Sequence, residues 1–243
     1  MASEERPAFY ALQPGGWRDY WTLLHPPYTL WHLSYVAIGA AAAPTLSLGR
    51  LGATLLAFFF AVGLTAHALD ELRGRPLRTG ISDRGLEVIA GVGLIGAIFL
   101  GVAGVILVSP WLLPFVAFGT FIVLAYNLEL YQGRFHSDLW FAVAWGAFPA
   151  LTGYFAQAET IRWQALLVAL ACLLFSAAQR RLSTPVRHLR RRVVRLEGRM
   201  HLADGTSVAI DEATLRDAPE TALRALAFGM ALLAAGLVTA RLL

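Results

Sequence analysis

Ala66-His67-Ala68-Leu69-Asp70-Glu71-Leu72-Arg73-Gly74-Arg75-Pro76-Leu77 closes an apolar run that starts near residue 49 and breaks off into imidazole, carboxylates and then arginine. Ionisable groups are expensive next to hydrocarbon, and a membrane helix that ends in them tends to mark function. The stretch predicts a membrane-spanning helix with a polar or metal-binding site at its mouth.

Spanning a bilayer takes roughly 17–25 mainly apolar residues. Seven stretches of the 243-residue chain meet that pattern, at about 27–46, 49–69, 85–107, 109–129, 138–157, 162–179 and 221–240. The composition agrees: 57% of residues are apolar and 15% charged, against about 25% charged in a soluble domain. An all-α polytopic membrane helix bundle is the expected fold. Its glycines, such as Gly91, Gly93 and Gly96, suit close helix packing in lipid. The net charge of +4 is too small and too localised to argue for nucleic acid. The single cysteine, Cys172, excludes a disulfide framework and any cysteine-rich metal centre. The N-terminus carries Glu4 and Glu5 and no basic stretch before an apolar core, unlike a cleaved signal peptide.

The basic residues, all arginine, set the orientation. Arg73, Arg75, Arg78 and Arg84 follow the second span, Arg134 the fourth, and a run from Arg180 to Arg199 the sixth. The positive-inside rule puts these loops in the cytoplasm of an inner-membrane protein, with the N-terminus inside and the C-terminus outside. Three parts result: an N-terminal segment with six helices over 1–179, an Arg-rich cytoplasmic segment over 180–220, and a C-terminal helix over 221–243. In the middle part, Ala203-Asp204-Gly205-Thr206 lies between strand-like runs and suggests a β-hairpin. The Arg run is expected beside anionic phospholipid headgroups, as a topology determinant or in contact with an anionic substrate. Nothing in the sequence bears on homo-oligomerisation.

If the second helix continues through Glu71, His67 shares a face with Asp70 and Glu71. One imidazole and two carboxylates suit Mg²⁺, or Zn²⁺ or Fe²⁺ through the histidine. Arg73 and Arg75 offer the alternative, an interfacial ion network. A second polar cluster, with Tyr126, Asn127, Glu129, Arg134, His136 and Asp138, ends the fourth span on the same predicted side. Glu129 and His136 are candidate metal ligands there, and Asp138 is either a ligand or a helix cap. His32, inside the first span, either joins the site or bonds a neighbouring helix.

With these residues the chain resembles the UbiA-type intramembrane prenyltransferases. The matching features are His67 to Glu71 followed by Arg75-Pro76-Leu77-Arg78, the opening Trp21-Thr22-Leu23-Leu24-His25-Pro26-Pro27, and Asp138, Gly146, Pro149 and Gly153 at the fifth span. The resemblance covers roughly residues 17–180. It implies a Mg²⁺-dependent enzyme that ionises an isoprenoid diphosphate or related lipid for prenyl transfer or cyclisation. Asp70 and Glu71 would bind the metal, and Arg75 the diphosphate. His32, Arg78, Asn127 and Arg134 are further candidate substrate contacts. The family has nine helices where seven are found here. Its second acidic motif would fall at Ala177-Ala178-Gln179-Arg180-Arg181-Leu182, where no acid occurs, and Glu129, His136 and Asp138 are candidate replacements. The rival classes are a His/carboxylate metalloenzyme that modifies a lipid without diphosphate release, and a non-enzymatic scaffold or transporter.

Overall fold

The computed structural model describes residues 6–243; Glu4 and Glu5 lie outside them. A short helix α1 (Trp17–Leu23) precedes α2 (Pro26–Ala41). Then come α3 (Leu48–Leu72), α4 (Asp83–Leu107), α5 (Pro110–Asn127), α6 (Asp138–Ala158) and α7 (Trp163–Arg192). A hairpin of β1 (Gly198–His201) and β2 (Ser207–Ile210) leads to α8 (Glu212–Ala240). The helix starts are locally encoded. Ser47, Ser82 and Ser137 cap α3, α4 and α6, and Asp211 with Thr214 forms a capping box on α8.

The fold is an all-α bundle around α2. Trp31, Tyr35, Val36 and Ala40 are completely buried, because α2 is surrounded by α6, α7 and α8. The α2–α6 crossing is close enough to require glycine on both helices. A Cβ on Gly39 would stand 2.0 Å from Ala150 O, and one on Gly153 would stand 2.1 Å from Val36 O. By contrast α4 turns Ile95, Phe99 and Ile106 outward at 70%, 71% and 76% exposure. Such a surface is a liability in water and ordinary against lipid.

Among the described residues, six helices are long and apolar enough to cross a membrane. The expected first span is the exception: α2 has 16 residues and ends at Ala41, before the turn through Pro44. Two other boundaries differ from the sequence reading. α7 continues past residue 179 to Arg192, and α8 starts at Glu212 rather than near 221. Hydropathy marks where a helix leaves the apolar layer, not where it stops. Pro185 forfeits one backbone bond, while the Thr184 hydroxyl donates to Arg180 O at 2.8 Å. Val186 and Leu189 are buried in the extension, and Arg190 holds Glu220 of α8 through two 2.8 Å bonds. The hairpin pairs Gly198 with Ile210 and His201 with Ser207, and Gly205 supplies a φ of 83° at the turn.

The loops after α3 and α5 and the exit of α7 meet at one end of the bundle. Arg73 bonds Glu129 at 3.0 Å and Arg180 bonds Asp138 at 2.9 Å there. At the other end Ser47 N bonds Gln157 Oε1, and Arg50 pairs with Glu159.

Candidate functional site

At the arginine-rich end, α2, α3, α5, α6 and α7 enclose a polar cavity of about 150 Å³. The N-terminal segment Pro7–Tyr10 forms a further wall. Helical spacing delivers the lining. His25, Tyr28 and His32 follow one face at the start of α2, and Arg180, Ser183, Arg187 and Arg191 follow one face of α7. His67 and Asp70 come from α3, Tyr126 and Asn127 from α5, and His136 from the loop before α6.

His32 is oriented by a backbone carbonyl at a break in the α-helical ladder. Trp145 lies in a π-helical turn, Val143–Ala147, and Pro149 has no N–H to give the carbonyl four residues earlier, Trp145 O. His32 Nδ1 donates to that oxygen at 2.8 Å. A carbonyl only accepts, so the ring proton lies on Nδ1 and the neutral ring keeps its lone pair on Nε2. The same logic applies to His136, whose Nδ1 donates to Tyr126 O at 3.0 Å near the end of α5. The His136 ring also stacks on Tyr126 at 4.4 Å.

His25 caps α2 in a left-handed conformation, with φ 46°. Non-glycine residues held there store strain that clusters at functional sites. Its Nδ1 lies 2.7 Å from the Tyr10 hydroxyl, and its ring stacks on His67 at 4.1 Å with 11° between the planes. Burial, and then the neighbouring His67, push the His25 imidazole well below its usual range. Burial likewise raises the Tyr10 phenol well above its own.

Four buried polar atoms on this lining have no hydrogen-bond partner among the described residues: His25 Nε2, His67 Nδ1, Tyr126 Oη and Gln179 Oε1. The Asp70 carboxylate forms no hydrogen bond or ion pair among the described residues, although its backbone carbonyl accepts from Arg73 N. Buried polar groups are nearly always satisfied, so a concentration of orphans around one cavity marks a place built for a polar ligand.

The sequence-derived candidates divide. His32, His67, Asp70, Asn127 and His136 line the cavity. Asn127 spends its amide on Val123 O of its own helix, at 2.7 Å. Glu71, Arg75, Arg78, Glu129, Arg134 and Asp138 are not among the lining residues. Glu71 is fully buried and accepts from Leu77 N at 2.9 Å, Thr79 N at 2.8 Å and Thr79 Oγ1 at 2.9 Å. Both of its oxygens are therefore occupied in holding the loop after α3, contrary to the expected shared face with Asp70. Arg75 sits at φ 51° and donates to Thr79 O and Ile81 O, and it pairs with Asp83. Glu129 is bound to Arg73, while Arg78 and Arg134 are exposed. Asp138 is the first residue of α6 and holds Arg180 from outside, with 76% of its side chain exposed.

The Mg²⁺ expectation meets a poor donor set. Among the described residues no three His, Cys, Asp or Glu side chains gather closely enough to hold an ion. One carboxylate, Asp70, lines the cavity with three guanidinium groups, a poor match to a hard cation that takes oxygen ligands. The sequence reading underweighted His25, Tyr28, Gln179, Arg187 and Arg191. The available signal was helical spacing: Arg180, Arg187 and Arg191 fall at i, i+7 and i+11, which is one face if the helix continues through the arginine run.

A second cavity, about 470 Å³ and apolar, lies among α3, α4, α5 and α6 toward the opposite end. Val62 and Trp145 line both cavities and form the partition between them. No family model, curated protein sequence or solved structure matches the chain.

Proposed function

We propose that the protein is an inner-membrane, UbiA-like enzyme that binds an isoprenoid diphosphate or related anionic lipid and acts on it by prenyl transfer or cyclisation. The observation that carries this reading is the adjacency of the two cavities: a cationic polar chamber and an apolar one share the Val62–Trp145 wall. An amphiphile has the same division into charged head and apolar tail, and it occupies both when the Trp145 side chain turns aside. By the positive-inside rule the arginine-rich end faces the cytoplasm and Leu243 lies outside.

In this reading the carbon–oxygen bond to the diphosphate breaks, and the electron pair leaves with the diphosphate. Arg187 and Arg191 stabilise the charge that develops there. The allylic cation is captured by an acceptor, or by its own double bond, and a proton is lost. In this reading the His32 Nε2 lone pair accepts that proton, while its Nδ1 proton stays hydrogen-bonded to Trp145 O. Asp70, the carboxylate in the cavity, holds negative charge beside the developing cation.

The test is incubation of purified protein with a panel of prenyl diphosphates and cell lipids, with and without Mg²⁺. Mass spectrometry follows diphosphate release and new prenylated or cyclic products. Release that disappears in Asp70→Asn and His32→Ala supports the reading. Lipid turnover with the diphosphate intact, or transport without turnover, overturns it. A second reading, a His/carboxylate metalloenzyme using Zn²⁺ or Fe²⁺, is favoured by His32 and His136. Backbone carbonyls hold their Nδ1 protons, as outer partners do for metal-ligating histidines. A transition metal retained by the purified protein, with hydrolysed or oxidised lipid as product, selects it.

A further inference from the structure

We infer that the polar cavity binds a phosphate or diphosphate group directly through Arg180, Arg187 and Arg191, with guanidinium charge in the place of a bridging divalent cation. The inference rests on the headgroup reading above and names the chemistry of that headgroup. It adds an independence from Mg²⁺ that the family resemblance does not imply.

The charge balance is the argument. Three guanidinium groups line the cavity against one carboxylate, Asp70. Arginine does not discharge by losing its proton, and uncompensated buried charge is costly. Asp138 compensates Arg180 from outside the cavity, while Arg187 and Arg191 have only neutral hydrogen-bond partners among the described residues. The Arg187 guanidinium makes one hydrogen bond among the described residues, a 3.4 Å contact with the Thr184 hydroxyl. Arg191 donates its Nε to Pro7 O, a neutral carbonyl, at 3.3 Å. Arg180 gives Asp138 its Nε, which leaves its two terminal NH₂ groups without a hydrogen bond among the described residues. The acids that would have balanced them or carried a cation are used elsewhere: Glu71 on its loop and Glu129 on Arg73.

An anion resolves this excess. Planar guanidinium forks match phosphate oxygens in pairs. Two of the unsatisfied polar atoms have complementary chemistry: Tyr126 has an O–H to give, and if Tyr10 donates to His25 Nδ1, the neutral His25 ring carries its proton on Nε2. A carboxylate-poor, arginine-rich chamber thus selects an oxyanion and repels a divalent cation.

The experiment uses the full chain in detergent, with EDTA, and calorimetric titration with inorganic pyrophosphate. Binding is expected in EDTA, and added Mg²⁺ should change it by less than about threefold. Arg187→Gln should weaken it about tenfold or more, the size of one charge-assisted contact. Arg181→Gln, at an exposed position of the same helix, should leave it unchanged. Arg191→Gln serves as the second variant if Arg187→Gln does not fold, as judged by gel filtration. Binding seen only with Mg²⁺, or undiminished in both cavity variants, overturns the inference. A parallel titration with a short-chain prenyl diphosphate separates the sources. Tighter binding than pyrophosphate supports both the inference and the lipid reading, whereas equal affinity keeps the arginine site and sinks the amphiphile.

Discussion

Two neighbouring carboxylates at the end of α3, Asp70 and Glu71, have opposite fates. Glu71 is completely buried, and three hydrogen bonds from the following loop converge on it. Asp70 has no such bond and lines the polar cavity. The same contrast separates the two cavities on a larger scale. The apolar one is walled by alanine, glycine, leucine and phenylalanine and requires only shape. The polar one is walled by groups that cost free energy to bury; some are held by specific partners, as His32 is by Trp145 O, and others are left without one among the described residues. Satisfied polar groups in this protein build the scaffold, and unsatisfied ones mark the site.

The largest test of that division removes the partition. Trp145 is 6% exposed, and Trp145→Ala should cost about 3–5 kcal/mol of stability. It should also join the cavities, and a crystal or cryo-EM structure of the variant showing two separate spaces would refute the role of the partition.

The next test sets Glu71 against Asp70. Glu71→Gln turns an amide NH₂ toward backbone donors and should destabilise the protein by about 1–3 kcal/mol. Hydrogen exchange should rise at Leu77 and Thr79. Asp70→Asn breaks no hydrogen bond to the carboxylate but removes the cavity's one negative charge, so it should cost less than Glu71→Gln, about 1 kcal/mol or less, while abolishing any lipid turnover. Equal destabilisation by the two substitutions would break the comparison.

The smallest expected effect is on pH dependence. Burial holds the His25 imidazole well below the value of 6.5 that it has when free. The unfolded chain therefore binds the proton more readily, and stability falls as pH drops below about 6.5. Above that pH both states are neutral and the contribution is complete. Between about pH 7 and 5 the loss from this one group is at most about 1.4 kcal/mol per unit. His25→Gln keeps an acceptor for the Tyr10 hydroxyl and removes the titration, so its unfolding midpoint should vary less with pH. An unchanged slope would assign the effect to another group.

Much of the architecture was legible in the sequence. Apolar length predicted the long helices, because hydrocarbon demands satisfied backbone and apolar side chains over a set distance. Asp204-Gly205 predicted the hairpin, since the turn needs the positive φ that glycine provides. The end of α3 marked a polar site, and His32, His67, Asp70, Asn127 and His136 do meet around one cavity. Residue type and spacing could not separate Asp70 from Glu71. Helical periodicity places both near one face, and only the loop folding back on Glu71 consumes its oxygens.

The same limit applies to the arginines. Their number and location set a charged end by local composition, which sequence carries in full. Whether a given arginine faces solvent, an acid or a cavity depends on where α7 stops and what packs beside it. Glu220 claims Arg190 from 30 residues away, whereas Arg187 and Arg191 turn to the cavity. Local sequence determined the helices, their caps and their charged end, because those follow from propensity, hydropathy and nearby atoms. Tertiary structure alone decided which polar groups were satisfied and which were left for a ligand, because hydrogen-bond partners distant in sequence meet only once the helices have packed.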